Sequence, residues 1–194
     1  MAEYLEILDE NGIFTGQIGT RKEIHQKGLW HGAVLVAILD DKNRILIQQR
    51  SKEKEKYAGK WDVSVAGHMP AGSHGIESTF LEVMEEVGIV IPSGIIVSNF
   101  RHIKTFRDQR VVSEDFIENQ FYDFYVLLPT KQAISEITIQ KEEVADFKWA
   151  SLHEIKEMAK EGDFHPRDQW IDILSVKLPQ MALRPAQQDE VPLP

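Results

Sequence analysis

The chain has no cysteine, and that single absence removes several chemistries. Without thiols there is no disulfide framework, thiolate zinc site, iron–sulfur cluster or cysteine nucleophile, so any metal must rest on oxygen or imidazole. Basic charge is also scarce: 22 Lys+Arg face 31 Asp+Glu, a formal net charge of −9. Such a surface does not coat a nucleic-acid polymer, and an anionic ligand needs a local basic patch or a cation. Long apolar runs are missing too. The longest, Ala33 to Leu39, falls far short of the ~20 residues that a membrane helix needs. The acidic start, MAEYLEILDE, lacks a basic stretch followed by an apolar one. It reads as no export signal, and the expectation is a cytoplasmic protein with no membrane partner.

What is present suits one globular unit. With 194 residues, 42% of them apolar, the chain can bury a sizeable core in a single domain. We take that domain as residues 1–183, with residues 1–28 a small N-terminal β extension. Residues 184–194 hold three prolines and little to bury, and are expected to be disordered. Strands are expected at 4–8 and 13–18 around Asp9-Glu10-Asn11-Gly12, because Asn-Gly supplies the positive φ of a tight turn. Residues 33–39 and 44–49 read as a long buried hairpin and 62–66 as a short strand. Residues 67–75 hold three glycines and a proline and read as a loop. Strands are expected at 95–106, 120–128 and 144–149, with the charged stretch 107–119 a loop. Helices are expected at 151–160, opened by a Ser151/Glu154 capping box, and at 166–178, with Pro166 in its first turn.

The chemistry concentrates on one further helix. Between Ile76 and Val87, the apolar residues Phe80, Val83, Met84 and Val87 recur at i, i+3, i+4 and i+7, and Gly88 supplies a stop. At ~100° per residue, Glu82, Glu85 and Glu86 share one arc on the other side. Like charges so spaced cost a few tenths of a kcal/mol per pair, and a divalent cation reverses that sign. Mg²⁺ and Mn²⁺ prefer carboxylate oxygens and bridge to phosphates. The alternative is plain: an acidic stripe on an exposed helix face is usually only solvated.

With its loop, the segment Gly67 to Ile89, GHMPAGSHGIESTFLEVMEEVGI, resembles the Nudix box, G-x5-E-x7-R-E-U-x-E-E-x-G-U with U aliphatic. Gly67, Glu82, Val83, Glu85, Glu86, Gly88 and Ile89 match it. Ser73 and Leu81 stand where the box has glutamate and arginine. Beyond the box, His25, GLWH at 28–31, QQRS at 48–51, Lys52, Lys54, Lys56, Tyr57, Gly59 and WDVSVAGH at 61–68 are similar to the Nudix subgroup related to isopentenyl-diphosphate isomerase. The resemblance implies an α/β/α sandwich with a mixed sheet, a small-molecule diphosphate substrate and Mg²⁺ or Mn²⁺. It implies Glu82, Glu85 and Glu86 as metal ligands, with the Ala66 carbonyl as a further one. Glu85, Glu86 or the later Glu143 would be the catalytic base, and Arg50, Lys52, Lys60, Gly67 and His68 are candidates to bind substrate. Each lysine is equally well read as an exposed loop cation.

Isomerases of this subgroup place a cysteine before the box glycine, where Ala66 stands, and a metal-binding glutamate where Lys141 stands. Both differences disfavour isomerisation and leave a metal-dependent diphosphohydrolase, with a non-catalytic binding module as the alternative. His25, His31 and His68 would bind metal in the isomerases; the plainer reading makes them hydrogen-bonded residues at strand ends. Exposed sheet edges make a homodimer the expected assembly.

Overall fold

The computed structural model describes residues 2–54, 56–88, 100–129, 137–138 and 143–182. Its centre is β3 (His31–Ile38), buried at all but one position. Alternation divides this strand's side chains between two cores. Leu35 and Ala37 pack with Ile155, Trp170 and Leu174 on one face, while Val36 and Ile38 pack with Val83 and Val87 on the other. Those partners belong to α3 (Leu152–Lys160), α4 (Gln169–Ala182) and α2 (Ile76–Val87). Helices therefore cover both faces of the sheet, in the expected α/β/α order.

The sheet is mixed and divided. β3 pairs antiparallel with β6 (Val65–His68) and parallel with β8 (Phe116–Leu127), which pairs with β7 (Phe100–Ser113). β4 (Ile45–Arg50) instead lies between β5 (Trp61–Asp62) and β9 (Val144–Ala150). The expected hairpin of 33–39 with 44–49 thus does not form: only a bridge between Leu39 and Ile45 joins the two. Its turn is real, since the Asp40 carboxylate accepts from the N–H groups of Lys42 and Arg44. The expected strand at 62–66 is two pieces, because Ser64 crosses between the sheets. Its hydroxyl donates to the Leu46 carbonyl and accepts from the Ile38 N–H.

Three more expectations are corrected. The charged stretch 107–119 is not a loop but the outer half of the β7–β8 hairpin, where Arg110 pairs with Glu118 across the strands at 3.2 Å and with Asp108 at 2.5 Å. Opposite charges facing one another support the pairing. The last helix starts at Gln169 rather than Pro166 and continues past Pro179. The N-terminal extension is not purely β: after β1 (Tyr4–Leu8) and β2 (Phe14–Thr20), a helix α1 (Arg21–Lys27) follows, capped by the Thr20 hydroxyl. Leu5 and Ile24 are fully buried, so this segment is part of the core. The Ser151/Glu154 capping box is present as read. Residues 95–99 and 184–194, together with Lys141, lie outside the described residues.

Candidate active site

α2 is placed by its buried residues Thr79, Val83, Glu86 and Val87, spaced at i, i+4, i+7 and i+8. Of the expected apolar face, Val83 and Val87 are buried and Phe80 packs on the same core, while Met84 is exposed, as is Leu81, at 46%. Glu82 and Glu86 lie at the edge of this face, against β6. Gly67 makes room for them, because a Cβ at that position would fall on the Glu82 carboxylate. Glu86 is held by two donors on one oxygen, Gln48 Nε2 at 3.0 Å and the Ala66 N–H at 3.3 Å. Ser73 does not cap the helix. Gly75 occupies the cap position, and the Ser73 hydroxyl meets that of Ser78 at 2.9 Å.

Glu82, Glu85 and Glu86 form one wall of a cavity of about 930 Å³, which Ala66, Gly67, His68 and Glu143 also line. Burial, then repulsion from Glu86 and Glu85, pushes the Glu82 carboxyl up to about 8. Burial likewise raises Glu86 to about 7, against the hydrogen bonds from Gln48 and Ala66. Carboxylates gathered without a counter-charge resist ionisation, and a divalent cation supplies that charge. The donor set, all hard oxygen, fits Mg²⁺ or Mn²⁺.

Cations line the same cavity. Of those expected, Arg50 lines the cavity, whereas Lys52 is exposed outside it. Lys60 is turned away, donating to the Gly162 carbonyl. Arg21, Lys22, Lys54, Lys56 and Arg167 line the cavity instead. Lys54 and Lys56 stand in the same loop as Lys52, so the sequence pointed to the right segment and the wrong member. Arg21 and Arg167 arrive from distant parts of the chain and carried no local signal. Lys54 forms an ion pair with Glu143. Arg50 lies 3.9 Å from Asp62 and has a buried Nε without a partner.

The three histidines also converge. The ligating nitrogens of His25, His31 and His68 lie within 4.8 Å of one another. His25 Nδ1 meets the Arg21 carbonyl at 2.9 Å and His31 Nδ1 the Leu29 carbonyl at 3.0 Å, so each Nδ1 donates and each Nε2 is the acceptor nitrogen. Burial, then the charge of His68, lowers His25 to about 4 and His31 to about 3. Both are neutral at pH 7, the form that binds metal. His31 Nε2 accepts from the Gln120 side-chain amide at 3.2 Å, a bond that a metal ion on that nitrogen would replace. His31 and His68 do stand at strand ends with polar partners, and with His25 they also form a cluster.

Known proteins agree with this architecture. The family model described as NUDIX domain matches residues 29–183. Nudix hydrolase 3 of Arabidopsis thaliana is 33% identical over 164 residues, 83% of this chain, which spans only 21% of that protein's length. An uncharacterised Nudix hydrolase of Listeria monocytogenes is 31% identical over 84% of this chain and 89% of its own. Isopentenyl-diphosphate Delta-isomerase 2 of Photorhabdus laumondii is 27% identical over 80% and 81%. A Deinococcus radiodurans crystal structure superposes with a TM-score of 0.66 at 16% identity, over 94% of this chain and 100% of that one. That last likeness concerns the fold alone.

Proposed function

This chain belongs to the NUDIX family, and on that premise we propose that it is a metal-dependent hydrolase that cleaves a diphosphate linkage in a small molecule. The observation that carries the proposal is that Glu82, Glu85 and Glu86 line one cavity together with Arg50, Lys54 and Lys56. Acids that gather a cation and bases that hold phosphates are what such a substrate requires around its reacting phosphorus. Glu82, Glu85 and Glu86, with the Ala66 carbonyl beside them, would hold Mg²⁺ or Mn²⁺. Bound there, the ion polarises a phosphoryl oxygen and lowers the pKa of a water. Gln48 and the Ala66 N–H fix one oxygen of Glu86 and leave the other for the ion or a proton.

Glu143 is the general base in this reading. Its carboxylate is held by Lys54, and a phosphate entering the cavity competes for that ammonium and frees Glu143 to take a proton from the attacking water. Arg50, which lines the cavity, is positioned to anchor the diphosphate. His68, tied to Glu3 at 3.4 Å, lines the same space, and the histidine cluster offers a second cation position. Isomerisation is not proposed, because Ala66 stands in the place of the cysteine that the resemblance assigns to that reaction.

Phosphate release with Mg²⁺ and Mn²⁺ over nucleoside diphosphates, dinucleotides, sugar nucleotides and isoprenoid diphosphates tests the reading. Turnover is expected on at least one class, with Glu82→Gln and Glu86→Gln each lowering kcat by about 100-fold or more. No turnover on any class, with ligand binding retained, would favour the non-catalytic module.

A further inference from the structure

The part of the cavity beyond the glutamates is lined for charge rather than hydrocarbon. Among the described residues its aliphatic lining is Ala33 and Ala66. Its two rings are already engaged: Tyr57 lies against His165 at 4.1 Å, and Phe116 against His25 at 4.3 Å with Lys56 Nζ 5.5 Å above it. Into this region projects Arg167, from the segment between α3 and α4, with a side chain 11% exposed.

Arg167 is fixed and yet incompletely used. Its Nη2 donates to Asp62 Oδ2 at 2.9 Å and its Nε to His165 Nδ1 at 3.2 Å. Among the described residues its Nη1 has no partner. Asp62 is fully buried and is approached by Arg50 as well, so two guanidinium groups share one carboxylate. The negative charge of Glu118 and Glu86 also bears on Arg167, but its Nη1 is still a cationic donor that an anionic ligand can satisfy. The position is also defined. Asp62 is the direct cross-strand partner of Gln48, which bonds Glu86. Arg167 is therefore held, through Asp62, on the strand next to the one that carries Gln48 and its bond to Glu86.

We propose that Arg167 is a specificity-determining residue that receives an anionic group on the organic half of the substrate. The preferred substrate is then a diphosphate of a phosphorylated, polar compound, such as a sugar phosphate, rather than of a hydrocarbon alcohol. This rests on the diphosphohydrolase reading and deepens it. A guanidinium held in plane by Asp62 and His165 presents a fixed donor edge, and a buried site of that kind discriminates strongly against an analogue lacking its acceptor.

The test compares 5-phosphoribosyl 1-diphosphate with isopentenyl diphosphate on the full chain. In wild type with Mg²⁺, kcat/KM for the phosphorylated sugar should exceed that for the isoprenoid by at least about tenfold. Arg167→Gln should bring the ratio close to one, chiefly through KM of the sugar compound, and Arg167→Lys should retain part of it. Thermal shifts in EDTA provide a second readout: the sugar compound should stabilise wild type more than the isoprenoid does, and the glutamine variant should lose that difference. If Arg167→Gln does not fold, the lysine variant carries the comparison, its ratio falling severalfold. An equal or reversed wild-type preference overturns the proposal. So does an Arg167→Gln effect that is the same for both compounds, which would place Arg167 on the diphosphate itself. Absence of turnover with both Mg²⁺ and Mn²⁺ removes the hydrolase reading alone, and the thermal shifts then decide the role of Arg167.

Discussion

At Gly67 a single hydrogen in place of a methyl group decides whether Glu82 can lie against β6, since a Cβ there would meet its carboxylate. Gly67→Ala is expected to push Glu82 off the strand and weaken Mn²⁺ binding by roughly 10–100-fold, as displaced ligand supports do. Calorimetric titration checks this, and unchanged affinity would mean that Glu82 is no ligand. The lysines make a second contrast. Lys60→Ala should leave KM nearly unchanged and lower stability by about 1 kcal/mol, because that side chain spends itself on the Gly162 carbonyl. Lys54→Ala should raise KM severalfold and, by releasing Glu143, alter the pH profile. Initial-rate kinetics on both variants separates the two roles. The three glutamates were legible in the sequence because helical spacing is local and periodic. Lys60 was not, because the carbonyl it reaches lies 102 positions away and no nearby residue announces it.

Among the elements, α2 was read correctly in extent and in most of its inward face, since Phe80, Val83 and Val87 pack on the core and Met84 does not. Periodicity located its ends and its acids, and Gly88 closes it in the left-handed conformation with an N–H to the Met84 carbonyl. The edge of that face was settled by packing on β6 and β3, where Glu86 is buried beside Val87 while Met84 stays exposed. The two departures from the box consequently differ in weight. Leu81 is exposed one turn before Glu85, so Leu81→Arg places a guanidinium within reach of that carboxylate and should raise activity severalfold. Ser73 lines a separate, smaller cavity with Glu6 and His74, so Ser73→Glu adds no carboxylate to the metal wall and should leave the rate unchanged. A rate gain from Ser73→Glu without one from Leu81→Arg would contradict this placement. The β7–β8 hairpin shows the opposite limit of sequence reading: its outer half is too charged to look like a strand, and only the facing of Arg110 by Glu118 makes it one.

Over the whole molecule, two sets of buried groups give acid opposite effects. His25 and His31, at about 4 and about 3 when folded, take protons more readily when unfolded, near 6.5. Their contribution is complete above ~6.5 and is lost as pH falls towards those lower values, by about 2 kcal/mol each at pH 5. Glu82 and Glu86, raised to about 8 and about 7 without metal, bind protons more readily when folded. They gain stability as pH falls from 8 towards the unfolded value near 4.3. In EDTA the two trends offset one another, and the urea midpoint should change little between pH 7 and 5. Saturating Mn²⁺ keeps the glutamates ionised, so the stability it adds should be greatest at pH 8 and above and shrink steadily to pH 5. Urea titrations with and without Mn²⁺ measure this difference, and a pH-independent increment would refute it. The sandwich itself was largely legible, but its wall composition was not, because the cavity is assembled from segments that meet only after folding. The β1–β2–α1 segment carries this furthest. It precedes the residues matched by the family model, yet it contributes Glu3, Arg21, Lys22 and His25 to the cavity. The family module and the cavity therefore have different borders. Grafting this N-terminal piece onto a relative's catalytic module would transplant part of the ligand-binding rim, while trimming the chain to residue 29 would open the cavity from one side.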